Sequence, residues 1–130
     1  MGLISSRDMS PTQWQQCCAD DPSANVIDYE LRTVDDRRIG VVSDVLFDDE
    51  AGVARYLVVD TSRAEFLVNQ PRVLLPISLC CRDDAQRTVR SQAGVQEVQS
   101  APGYERATAV TRAYEETVFT NFGERPYWPI

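Results

Sequence analysis

The chain of 130 residues contains neither histidine nor lysine, and all 13 of its basic residues are arginine. Without histidine, the chain lacks the usual general base near neutral pH and the commonest metal ligand. Without lysine, it can neither form a Schiff base nor complete a phosphate-binding P-loop. Catalysis would rest on carboxylate, cysteine, tyrosine or serine side chains alone. We therefore expect a protein that is not an enzyme, with no catalytic residues and no cofactor.

Long apolar runs and an excess of positive charge are also missing. No run approaches the roughly 20 apolar residues that cross a bilayer, and the first ten residues lack the apolar core of a signal peptide. The formal charge of -7 opposes binding to nucleic acid or anionic lipid. Hydrophobic residues make up 43% of the chain and charged residues 25%, which is typical of a folded domain. These features predict a cytoplasmic protein that binds neither membranes nor nucleic acid.

Short runs of apolar residues between residues 26 and 91 predict β-strands. The first, from Val26 to Thr33, is rich in β-branched and aromatic side chains. After Arg38 the apolar residues recur at every second position, until "DDEAG" at residues 48–52 predicts a hairpin loop. The next run, "VARYLVVDT", is apolar on both faces, which is typical of a central strand. Three further runs, "EFLV", "RVLLPISLCC" and "RTVRS", complete a pattern typical of a small barrel or sandwich.

Alternation along these strands predicts which side chains form the core. Residues of one strand that share a parity point to the same face of the sheet. The predicted core residues are Ile39, Val41, Val45, Phe47, Leu57, Val59, Leu75 and Ile77. By the same parity, Cys81 would join the core and Cys80 would point away from it. The pairs Cys17–Cys18 and Cys80–Cys81 are adjacent, whereas zinc ligands usually have two to four residues between them, so we predict no zinc site.

Acidic side chains gather in the predicted hairpin loop, at Asp48, Asp49 and Glu50. Consecutive carboxylates offer oxygen ligands to a hard cation such as Ca²⁺, so these three residues are candidates for a metal site. Aspartate and glycine are also the residues that a hairpin turn prefers, and a solvated turn is the favoured interpretation. Asp44 lies on the preceding strand, where we expect it to bond backbone amides or an arginine such as Arg38 or Arg55.

The last part of the chain predicts a helix followed by an aromatic tail. Its apolar residues recur at helical spacing, Thr108 or Thr111 can cap the start, and Gly123 can end the helix. A short helix with one apolar stripe is marginal alone, so it needs a surface to cover. That surface is either the protein's own strands or, as we expect, a second copy in a homodimer. The predicted interface residues are Val110, Tyr114, Val118, Phe122, Tyr127 and Trp128.

Two stretches of the sequence resemble the PRC-barrel domain family, whose small barrel also occurs in the H subunit of photosynthetic reaction centres. They are "DYELRTVDDRRIGVVSDVLFDDEAGVARYLVVDT" and "RVLLPIS". The later stretch "VTRAYEETVFTNFGERPYW" is similar to the tail that follows the barrel in free-standing bacterial members. The resemblance covers roughly residues 28 to 128 and leaves out about the first 24.

The resemblance implies a mainly β fold, with a small PRC-type β-barrel of five to six strands, a C-terminal helix and an aromatic tail. We place a flexible N-terminal arm at residues 1–24, the barrel domain at residues 25–100, and the helix and tail at residues 101–130. The family is regarded chiefly as adaptor or assembly modules, so the resemblance implies binding to a protein partner. The alternative from the acidic loop is a carboxylate-based sensor of a small ligand or divalent metal.

Overall fold

A computed structural model describes residues 3–105 and 110–128 of the chain. Within these residues the protein has three α-helices, α1 (Pro11–Asp20), α2 (Val95–Gln99) and α3 (Arg112–Phe122). The seven strands are β1 (Leu3–Ser5), β2 (Glu30–Arg32), β3 (Arg38–Asp48), β4 (Val53–Asp60), β5 (Arg72–Pro76), β6 (Cys80–Asp83) and β7 (Thr88–Ser91). None of the helices in these two ranges has the length and apolarity that a membrane crossing requires.

All seven strands belong to one sheet. Six of them follow the order β5-β4-β3-β2-β7-β6, and β1 pairs with β3 beside β2. The β2–β7 pair is parallel, whereas the other pairs are antiparallel. Among the described residues the sheet is not closed into a complete barrel, because β5 and β6 end the order without pairing to each other. The prediction of a mainly β fold with a C-terminal helix is confirmed, with one strand more than the five or six expected.

The additional strand lies in the segment for which the sequence predicts a flexible arm. Residues 3–24 contain β1, α1 and two short 3-10 turns, so this segment of the predicted flexible arm carries regular structure. Helix α1 starts with a capping box, in which Ser10 and Gln13 each accept a hydrogen bond from the other's backbone N–H. Pro11 follows the cap, where its missing N–H costs nothing.

Two β-bulges set the register between β3 and β4. The pairing skips Ser43 on β3 and Arg55 on β4. Because a bulge adds one unpaired residue, every side chain that follows it on the strand points to the opposite face from the one that simple alternation predicts. Val45 therefore shares a face with Val42, and the predicted face that joined Val45 to Val41 is wrong. The pairs that show this are Val41↔Asp60, Val42↔Val59, Asp44↔Val58 and Val45↔Leu57.

The core contains most of the residues that the sequence predicts for it. Six are buried, namely Ile39, Val45, Phe47, Leu57, Val59 and Leu75. Val41 and Ile77 are only half-buried, which corrects the prediction at these two positions. Val41 precedes the bulge and lies opposite half-exposed Asp60. Ile77 starts a 3-10 turn that separates β5 from β6.

The same 3-10 turn corrects the prediction for the cysteines. Because the residues Ile77–Leu79 are not extended, the parity of β5 does not continue into β6. Cys81 is exposed, while Cys80 is half-buried, and burial raises the pKa of the Cys80 thiol to about 12.

Helix α3 agrees better with its prediction. The N–H of Tyr114 donates to the Thr111 hydroxyl at 3.1 Å, and Gly123 closes the helix in the left-handed region, whereas Thr108 lies outside the described residues.

Candidate interaction surfaces

The acidic hairpin turn buries Asp48 and leaves Asp49 and Glu50 at the surface. Asp48 Oδ1 accepts hydrogen bonds from the backbone N–H groups of Glu50 at 3.0 Å and Ala51 at 3.1 Å. Asp48 Oδ2 accepts one from Arg55 Nε at 3.1 Å. Nowhere in residues 3–105 and 110–128 do three or more carboxylates or thiols assemble as a metal-ligand set. The turn therefore uses Asp48, the first of the three cation candidates, as a structural brace.

Asp48→Asn is expected to lower the free energy of unfolding at pH 7 by about 1–3 kcal/mol, because a buried hydrogen-bonding group loses charge-assisted partners. Burial acts to raise the pKa of Asp48, but the amides of Ala51 and Glu50 and the Arg55 guanidinium outweigh it and hold that pKa below 3.8. Since the folded-state pKa is the lower one, the stabilisation is present above about pH 4 and is lost as the pH falls through the folded-state pKa.

Urea unfolding of Asp48→Asn and of the unsubstituted chain, at pH 7 and at pH 3, measures this effect. The difference in free energy of unfolding between the two proteins should be smaller at pH 3 than at pH 7. Asp49→Asn is the matched control, and its effect should stay within about 0.5 kcal/mol because its side chain is at the surface. Equal losses in the two variants would contradict the bracing role of Asp48.

A second buried carboxylate, Glu115, joins β4, α3 and the tail. The Glu115 side chain is 2% exposed, and its Oε1 accepts hydrogen bonds from the hydroxyls of Tyr56 at 2.7 Å and Tyr127 at 2.5 Å. Arg112 Nη1 lies 3.8 Å from Glu115 Oε2. Burial and the bond to Glu115 raise the pKa of Tyr56, and the same causes raise that of Tyr127 to about 12. Both phenols therefore keep their protons at neutral pH and remain donors to Glu115.

The two phenols that bond Glu115 belong to a group of four aromatic rings, which we call the tail cluster: Tyr56, Phe119, Tyr127 and Trp128. Phe119 is central, with ring centroids 5.9 Å from Tyr56, 6.0 Å from Tyr127 and 5.5 Å from Trp128. Tilted and edge-to-face contacts of this kind stabilise aromatic pairs beyond their area burial. The cluster attaches the C-terminal segment to the face of β4 that carries Tyr56.

Two arginines stack on the outer rings of the tail cluster. The guanidinium of Arg55 lies 4.0 Å from the centroid of Tyr127, and that of Arg112 lies 3.9 Å from the centroid of Trp128. At this distance a cation is attracted to the face of the ring. Since Tyr127 and Trp128 are half-buried, part of this arginine–aromatic surface is open to solvent.

The six predicted interface residues divide into two groups. Val118 and Phe122 are buried within their own chain, at 0% and 6% exposure. The other four keep accessible surface, and they are Val110, Tyr114, Tyr127 and Trp128. The apolar stripe of α3 thus covers its own sheet, while the open part of the tail remains available to a partner. The homodimer itself stays a prediction.

The carboxylate of Asp44 forms hydrogen bonds with residues at the start of the chain and not with an arginine. The hydroxyls of Ser5 and Ser6 donate to its carboxylate, and the N–H of Val45 donates to it at 2.7 Å. The expected bond to a backbone amide is present, and the hydrogen-bond partners of Asp44 include neither Arg38 nor Arg55. The hydrogen bonds of the Asp44 carboxylate therefore hold β1 against β3.

Residues 61–71 form a surface that the sequence prediction misses, and we call this segment the Leu67 loop. The stretch "EFLV" within it is predicted as a strand, but it has no strand pairing. Leu67 is 78% exposed, whereas its neighbours Phe66 and Val68 are half-buried. An apolar triplet confined between turn residues is the only sequence signal for such a loop. Which of its three side chains points outward depends on how the loop closes.

A groove lies at the other end of the β3–β4 hairpin, between that hairpin and α1, and we call it the N-terminal groove. Its volume is about 290 Å³. Its apolar lining comes from Ile4, Met9, Cys17 and Phe47. Asp20 and Asp49 also line it, and its lining includes no basic residue. The groove is therefore an apolar depression with an acidic border.

The sequence model of one protein family, the PRC-barrel domain, matches residues 21–92. The match covers more than half of the chain and includes β2 to β7, the greater part of the sheet. It leaves out α1 and α3, which lie outside the matched range. A search among curated proteins found no match.

Proposed function

The chain belongs to the PRC-barrel domain family, and on this basis we propose that it is a non-enzymatic assembly module, an adaptor in the cytoplasm that binds other protein molecules. The family supports a general role in protein interaction and assembly. The proposal adds that the chain performs no reaction, and that a second copy of the chain is among its partners. A fold alone does not define a partner, so the support comes from the surfaces of this chain.

The placement of the buried acids supports a role without catalysis. The buried carboxylates of the described residues are Asp44, Asp48 and Glu115, and each accepts hydrogen bonds that join separate segments of the fold. A catalytic acid or base instead needs contact with a substrate and a pKa near the working pH. The sequence has no histidine that could work with these acids.

The observation that carries the binding proposal is the solvent-exposed part of the tail. There the Arg55 guanidinium stacks on the Tyr127 ring, and the Arg112 guanidinium stacks on the Trp128 ring. Tyrosine, tryptophan and arginine are the residues most enriched at interface hot spots. Stacking holds these side chains in place before a partner arrives, which reduces the entropy lost on binding. We propose that two copies meet here around a two-fold axis, so that each presents the same surface.

Static light scattering of the full chain tests this proposal. We expect twice the mass of the 14.6 kDa chain at tens of micromolar. Trp128→Ala should weaken association at least about tenfold, as loss of a hot-spot residue does. Tyr29→Ala is the matched control, because Tyr29 is another half-buried ring that an arginine, Arg87, approaches at 5.3 Å. A chain that stays monomeric, or a dimer that Trp128→Ala leaves unchanged, would contradict the tail interface.

A further inference from the structure

We propose that Asp48 and Glu115 determine which partner the arginine–aromatic surface accepts, because each neutralises one arginine of that surface from inside the fold and so allows an identical copy to face it. This role rests on the tail dimer proposed above, and it assigns the residues that make self-association electrostatically possible. Like charges that face each other across an interface oppose binding. Around a two-fold axis each arginine of this surface occurs twice, so an uncompensated positive charge would disfavour the dimer.

The two arginines lie at the surface, and their acids lie beneath them. The side chain of Arg112 is 42% exposed and that of Arg55 is 22% exposed, whereas those of Glu115 and Asp48 are 2% and 3% exposed. Arg55 Nε lies 3.1 Å from Asp48 Oδ2, and Arg112 Nη1 lies 3.8 Å from Glu115 Oε2. A partner at this surface therefore meets the guanidinium groups, while the compensating carboxylates stay out of its reach.

Both guanidinium groups approach the same ring, so their charges act together. Arg55 lies 4.0 Å and Arg112 lies 5.7 Å from the centroid of Tyr127. Their separation is therefore below about 10 Å, which is the Debye length at roughly 0.1 M salt. The described part of the tail adds no net charge, because its Glu124 and Arg125 have opposite signs. Without the two buried acids, the arginines would present two positive charges to their own copies.

The overall charge of the chain makes the expected effect of these acids distinctive. Two copies with a formal charge of -7 each repel one another, and removal of an acid reduces that repulsion. Substitution of an ordinary surface acid should therefore strengthen association slightly. Removal of Asp48 or Glu115 should weaken it instead, because the arginine left without compensation lies within the interface.

Sedimentation equilibrium of the full chain at two salt concentrations tests this role. Glu115→Gln keeps an oxygen for the hydroxyls of Tyr56 and Tyr127 and removes only the charge. It should raise the dimer dissociation constant at least about fivefold at roughly 0.1 M salt, as one repulsive contact between unit charges does. At about 1 M salt, where the Debye length is about 3 Å, it should come within about twofold of its control. That control is Glu116→Gln, which removes the same charge from the next residue of α3, an exposed one.

Asp48→Asn repeats the test on a different element, with Asp49→Asn as its control, and circular dichroism shows which variants are folded. If Glu115→Gln does not fold, the salt dependence of Asp48→Asn decides. A dimer that both variants weaken equally at the two salt concentrations, or no more than their controls do, would overturn the compensating role and leave the tail dimer in place. A chain that is monomeric at both salt concentrations would overturn the tail dimer as well.

Discussion

Tyr56→Ala is expected to lower the free energy of unfolding by about 3–5 kcal/mol, as truncation of a large buried side chain does. Tyr56 is 0% exposed and pairs with Pro76 on β5 in the middle of the sheet. Its ring contacts Phe119, and its hydroxyl donates to buried Glu115. Alanine would therefore leave a cavity and remove one of the donors that compensate a buried carboxylate.

Two conservative substitutions separate the ring from the hydroxyl. Tyr56→Phe keeps the packing and removes only the bond to Glu115, so we expect a loss of about 1–3 kcal/mol. Tyr29→Phe removes a similar bond, to Asp84 at 2.7 Å, which is exposed to solvent although the Tyr29 ring is half-buried, and it should change stability by less than about 0.5 kcal/mol. Urea unfolding followed by far-UV circular dichroism measures all three variants. Equal losses for Tyr56→Phe and Tyr29→Phe would show that Glu115 does not depend on the Tyr56 hydroxyl.

Gly40→Ala should be still more damaging, with an expected loss of more than about 4 kcal/mol. Gly40 lies on β3, where the backbone of Asp60 on β4 passes directly over it. An added Cβ would overlap the carbonyl oxygen of Asp60, a backbone atom that cannot turn aside as a side chain does. Because Val41 pairs with this same Asp60, relief of the overlap would separate the central strands.

Gly94→Ala is the matched control for Gly40→Ala. A Cβ at Gly94 would meet only the Glu97 carboxylate, at 3.4 Å, which is ordinary contact with a flexible side chain. We expect a loss of less than about 1 kcal/mol there, since alanine is only a poorer N-cap for α2. Thermal melting of the two variants provides the comparison. A soluble Gly40→Ala variant that melts within a few degrees of Gly94→Ala would contradict the close approach described here.

Local patterns in the sequence predict the parts of this fold that depend on neighbouring residues. The hairpin around Gly52 and the helix between Thr111 and Gly123 are both present, because turn and cap chemistry act within a few residues. Helix α1 also had a local signal, the capping box from Ser10 to Gln13. The sequence offers no second signal for this helix, because none of its residues is buried and no apolar stripe marks it.

Other features depend on contacts between distant residues and have no local signal. The bulge at Ser43 adds one residue to β3, and nothing in the composition of an alternating run marks where the pairing skips. Glu115 is one of two adjacent acidic residues on α3, and only its contact with Tyr56, 59 residues earlier, distinguishes it from Glu116. The exposure of Leu67 likewise follows from the way Thr61 closes its loop.

The parallel pairing of β2 with β7 has a consequence for the order of folding. Glu30 lies opposite Thr88, so this ladder forms only after a long stretch of chain has been closed into a loop, which slows folding. The β3–β4 hairpin is local and forms first, with Tyr56 on one face and Leu57 on the other. During synthesis the face of that hairpin that carries Tyr56 stays uncovered until α3, with Phe119, has been made. The growing chain is therefore most prone to aggregate after the hairpin has left the ribosome and before the C-terminal segment has followed it.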